Sequence, residues 1–93
     1  MQKQFKQYNI TAKKKADDIS LYSKYTILLT MTKPRSPFSV YFMIEDPKDD
    51  WLINLVRFKT KTGEIAYEAM FIKPDFEKEI ESYEKDGFIK AKV

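Results

Sequence analysis

The chain has 93 residues, 43% of them hydrophobic and 15% aromatic, and carries a formal charge of +3 with no histidine and no cysteine. Such a length makes one compact domain, expected over 1–93, and the missing side chains remove the commonest general bases, nucleophiles and zinc ligands, together with any disulfide. With only two glycines there is also no glycine-rich loop to close around a phosphate, so the chain is read as a non-enzyme that takes no cofactor and no metal.

The first residues are polar and charged, without the apolar stretch of a secretory signal, and no apolar run approaches the roughly 20 residues of a membrane span. A cytoplasmic protein with no membrane contact is the expectation. Residues 1–15 end in the run Lys13, Lys14, Lys15 and read as a mobile basic arm, with a short strand at Tyr8 to Ala12 as the alternative.

Tyr25, Ile27, Leu29 and Met31 alternate with Lys24, Thr26, Leu28 and Thr30, the period of two that predicts a strand with one buried face. Lys33-Pro34-Arg35-Ser36-Pro37 breaks the pattern, and a second strand follows in which Phe38, Val40, Phe42 and Ile44 oppose Ser39, Tyr41 and Met43. An acidic turn from Glu45 to Asp50 closes it. Trp51 to Thr60 reads as a strand through its β-branched and aromatic content, with a short helix as the minority reading. Lys61-Thr62-Gly63 then reverses the chain into a strand from Glu64 to Ile72, with Ile65, Tyr67, Ala69 and Phe71 on one face. Pro74 to Asp86 predicts a helix: proline suits its first turn, Gly87 stops it, and Phe76, Ile80 and Tyr83 form one apolar stripe. Phe88 to Val93 is expected as a last short strand. The fold class is therefore α+β, an antiparallel meander of four to six strands with one C-terminal helix packed on one face.

Charge is uneven along the chain. Residues 1–35 hold eight basic and two acidic side chains, residues 36–93 nine and twelve. In an up-and-down meander alternate turns share one end of the sheet, so Lys33 and Arg35 should lie beside Lys59 and Lys61, with the acidic turn at the far end. This basic end, with Lys13, Lys14 and Lys15, is the expected contact for nucleic-acid phosphate, and Tyr22, Tyr41 or Trp51 would be its stacking faces. The sequence carries no signature of a specific nucleic-acid module.

A rival expectation comes from surplus apolar surface. The strand 64–72 is apolar on both sides, and one short helix cannot cover two sheet faces. The N-terminal segment, a second copy of the chain in a homodimer, or another protein must cover the remainder, and Tyr41, Met43 and Met70 are the expected interface. On this reading the chain is a protein-binding adaptor or inhibitor, of the accessory type found in viruses and mobile elements, using its outer sheet face or an edge strand.

Overall fold

A computed structural model describes residues 18–91. A single 3₁₀ turn, Ile19–Tyr22, precedes β1 (Thr26–Thr32), β2 (Phe38–Ile44), β3 (Leu52–Lys59), β4 (Ile65–Ile72), α1 (Lys73–Lys85) and β5 (Ile89–Lys90). The strands form one antiparallel sheet in the order β4-β3-β2-β1-β5. The α+β meander read from the sequence is thus present, as a five-stranded sheet with one helix packed against it. Its last strand returns to the far edge beside β1. The expected strand at Tyr8 to Ala12 and the run Lys13, Lys14, Lys15 lie outside the described residues.

The helix-covered face holds the main core. Met31, Val40, Phe42, Ile44, Ile53, Leu55, Ala69, Phe71 and Phe88 are buried there, and Phe76, Ile80 and Tyr83 of α1 pack onto them. Rings meet edge-on, Phe42 with Phe76 at 5.1 Å and with Tyr83 at 6.2 Å between centroids, which favours the opposed quadrupoles. α1 starts without a side-chain cap: its first N–H, from Lys73, donates to the Trp51 carbonyl at 2.7 Å. It stops in a Schellman motif. The Phe88 N–H reaches the Tyr83 carbonyl and the Gly87 N–H that of Glu84, both at 3.0 Å, with Gly87 at a φ of 101°. The ring of Phe88 closes on that of Tyr83, so the helix stop also fixes the entry to β5.

Two bulges separate the structure from the simple alternation. In β1 the register shifts between Ile27 and Leu29, so Ile27 opposes Met43 on the outer face while Leu29 opposes Phe42 on the helix face. Leu28 is the extra residue and remains exposed. In β4 the shift puts Ile65 opposite Phe58 while Tyr67 opposes Arg57, moving Ile65 to the face away from Tyr67, Ala69 and Phe71. A strict period of two cannot foresee such an insertion, because one extra residue flips every side chain beyond it.

The outer face carries its own small core of Met43, Val56 and Ile65, with Tyr41 of β2 beside it and Ile19, Tyr22 and Tyr25 packed over it. The 3₁₀ segment is fastened there by two links: an antiparallel backbone bridge of Asp18 with Glu64, in which the Ile19 N–H donates to the Gly63 carbonyl at 2.7 Å, and the Tyr22 hydroxyl, which donates to the buried carboxylate of Glu68. Asp18 caps the segment by accepting from the Ser20 N–H at 2.9 Å; the bond from the Ser20 hydroxyl, and then this one, hold its carboxyl below the usual carboxylate range. Residues 18–25 thus cover part of the surplus apolar surface, over Met43, Val56 and Ile65, while Ile27 and Leu52 of the same face stay exposed.

Candidate nucleic-acid interface

The two reversals at one end of the sheet are joined directly. The Thr60 N–H donates to the Pro37 carbonyl at 2.8 Å, and the hydroxyls of Ser39 and Thr60 are 3.0 Å apart. Pro34 suits the first loop and Gly63 the second, while Arg35 takes a position that favours glycine. In the first, the Ser36 N–H donates to the Lys33 carbonyl at 3.0 Å; proline precedes Arg35, whose φ is 70°, the combination of a type II turn. In the second, Gly63 has a φ of 76°, its N–H reaching the Lys59 carbonyl at 2.7 Å. Between them lies a shallow hollow of about 450 Å³, lined by Ser36, Pro37, Lys59, Thr60, Lys61 and Thr62.

The four expected cations of this rim do not all serve it. Lys33 turns toward the C-terminal end of α1, 3.8 Å from Asp86 and 5.7 Å from the centre of the Phe88 ring, where a cation also complements the helix dipole. Lys59 sits 3.4 Å from Glu64, an exposed pair that water largely screens. Arg35 and Lys61 have no ion-pair partner among the described residues. Lys59 and Lys61 line the hollow between the reversals, Arg35 stands in the adjoining turn beside Ser36, and Lys33 is engaged at the end of the helix.

The expected stacking residues lie elsewhere. Tyr22 is the latch on Glu68, Tyr41 packs edge-on against Phe58 on the roofed outer face, and Trp51, though half exposed, belongs to the acidic end. Of the expected protein interface of Tyr41, Met43 and Met70, Met43 is 1% exposed beneath the 3₁₀ segment, whereas Tyr41 and Met70 are half-buried. Burial raises the Tyr25 hydroxyl above the ordinary tyrosine value, with the charges of Glu45 and Glu68 adding to the shift.

Arg57, which the sequence reading passed over, is the more informative cation. It stands in phase with Ile53 and Leu55 on the helix-covered face of β3, and a charge in phase with core residues was the available signal. Its guanidinium lies 4.8 Å from the Tyr67 ring and 5.9 Å from that of Phe38, and it donates to the Tyr83 hydroxyl at 3.4 Å. Burial raises the Tyr83 hydroxyl, and the Arg57 charge works against that rise. Around Arg57 opens a groove of about 560 Å³, walled by Tyr67, Glu79, Ser82, Tyr83 and Asp86.

The acidic end is a structural turn. Asp46 accepts from the Lys48 N–H at 3.0 Å, Asp49 from the Trp51 N–H at 3.3 Å, and Asp50 pairs with Lys73 at 2.8 Å, which holds its carboxyl below the usual range. Among the described residues no group of three or more acidic side chains gathers as a metal site would require, and no helix is long and apolar enough to cross a membrane. Neither a protein-family model, nor a curated protein, nor a solved structure matches the chain.

Proposed function

We propose that the protein is a non-enzymatic nucleic-acid binder of the cytoplasm that grips phosphate with Arg35, Lys59 and Lys61, assisted by Lys13, Lys14 and Lys15. The observation that carries this reading is the hydrogen bond between Thr60 and Pro37, which ties two separate basic reversals into one rim. Cations at a common edge can meet successive phosphates and release their counterions, so affinity should fall linearly on a log-log plot against salt. Residues 18–91 taken alone carry eleven basic and thirteen acidic side chains. A folded body that is slightly acidic overall attracts polyanions where cations are gathered, as in the two basic reversals.

Fluorescence anisotropy with a labelled single-stranded oligonucleotide, titrated at several salt concentrations, tests the proposal. Binding that weakens steeply with salt, with a slope shallower by about 1.4 for the Lys59→Gln, Lys61→Gln double variant, is the expected result. Absence of binding even at low salt ends the proposal.

A second reading has its own observation. β5 pairs with β1 only at Met31 and Thr32, so the outer edge of β1 from Thr26 to Leu29 has no strand beside it among the described residues, and Ile27 and Leu28 are exposed there. Such an edge suits strand addition by a protein partner or a second copy of the chain. That association would barely respond to salt, and light scattering would reveal a dimer.

A further inference from the structure

We infer that the hollow at the acidic end of the outer face seats an arginine side chain of a partner peptide, its methylenes lying on Leu52 and Met70 and its guanidinium meeting Glu45. This site lies at the opposite end of the sheet from the two basic reversals and does not depend on the nucleic-acid reading. The hollow has a volume of about 160 Å³, with Leu52 and Met70 on its sheet side, Tyr25 above, and Glu45, Asp46 and Asp49 on the side of the turn. Residues 18–25, which cover Met43 and its neighbours, leave this corner open: Leu52 is 38% exposed and Trp51 beside it 50%.

The carboxylates are only partly engaged. Asp46 and Asp49 each accept a backbone N–H on one oxygen, and Glu45 makes no hydrogen bond or ion pair among the described residues. Lys24 and Lys48, the cations nearest in sequence, pair with none of the three. The negative field reaches into the hollow, where burial first and then the charges of Glu45 and Glu68 raise the Tyr25 hydroxyl. A bare metal ion needs acidic groups that converge, and among the described residues no three do. An anion is repelled, and a purely apolar side chain would strip water from the carboxylates without replacing it. Arginine has both parts: an alkyl stem that covers apolar surface and a planar fork that meets a carboxylate in two parallel bonds. Lysine would reach the same carboxylate only as a point charge.

The test is an NMR titration of the isotope-labelled full chain with a short capped alanine peptide carrying one central arginine. A citrulline peptide, equal in shape but uncharged, is the comparison, and a melting temperature is recorded for every protein. Saturable amide shifts at residues 25, 45–49, 52 and 70 are expected, with binding about fivefold weaker for citrulline and about fivefold weaker for Glu45→Gln. Glu45 is exposed, so that variant should melt as wild type does. Leu52→Asn, which removes the apolar wall, should weaken binding about threefold. Equal affinity for the two peptides, shifts centred elsewhere, or no shifts at all would overturn the inference. Shifts at the same residues that grow with protein concentration alone and vanish in Lys61→Gln would place a second copy of the chain in the hollow, and overturn it as well. Oligonucleotide binding, read separately by anisotropy, is indifferent to each of these results.

Discussion

The two ends of the sheet are made by the same device, a tight reversal between antiparallel strands, and differ in what their charged side chains are engaged with. At the acidic end, Asp46 and Asp49 accept backbone N–H groups and Asp50 pairs with Lys73, so the carboxylates hold the turn together. At the basic end, backbone bonds and a glycine make the turns, and the side chains of Arg35 and Lys61 take no part in either. Charge that builds a loop is accounted for by the loop. Charge left over at an adjoining pair of loops is available to a ligand. Strands of seven or eight residues put the two ends about 25 Å apart, some three screening lengths at physiological salt, so they act independently.

The comparison can be broken most forcefully at the rim. Neutralising Lys59 and Lys61 together should weaken single-strand binding about 25-fold at 0.1 M salt, read by anisotropy. A loss as large from Asp46→Asn, Asp49→Asn would show that the ends are not distinct. Tyr22→Phe touches neither end. It removes the donor that reaches buried Glu68 and should cost about 1–3 kcal/mol in urea unfolding while leaving nucleic-acid affinity unaltered. A change in affinity with this variant would tie binding to the roofed face instead.

Arg35 sharpens the contrast because it occupies a backbone position suited to glycine. Arg35→Gly should stabilise the fold by up to about 1 kcal/mol and weaken binding about fivefold, a trade-off visible by measuring both on one sample. Smaller still is the response to pH. With no histidine or cysteine, affinity and stability should be level between about pH 5.5 and 8. Tyr83 and Tyr25 have raised values in the folded state, so they contribute stability below the ordinary tyrosine value that is lost as pH climbs through the folded one. Thermal melts on the alkaline side should therefore decline above about pH 10.

Much of this architecture is legible from residue order. The Pro34 and Gly63 reversals, the Phe76, Ile80, Tyr83 stripe and the Gly87 stop each act locally, and each is found where local chemistry puts it. The bulges at Leu28 and Ala66 were not legible, since the inserted residues have nothing unusual about them and only the cross-strand register reveals the shift. The roof over Met43 depends on Tyr22 finding Glu68, 46 positions away, which no periodicity encodes. At the candidate site, adjacency of Arg35 to Lys59 and Lys61 follows from meander topology. The diversion of Lys33 to Asp86 does not, because it depends on where the helix ends. Arg57 was readable as a cation among core positions, yet its groove exists only once α1 has docked.

Location is the claim on which the account turns, and an NMR titration of isotope-labelled protein with a short guanine-containing single strand measures it directly. Amide shifts concentrated at residues 35–38 and 57–62, with residues 45–50 unmoved, are the expected result. Shifts centred on 45–50 or on the β1 edge at 26–29, or none at all, would contradict it.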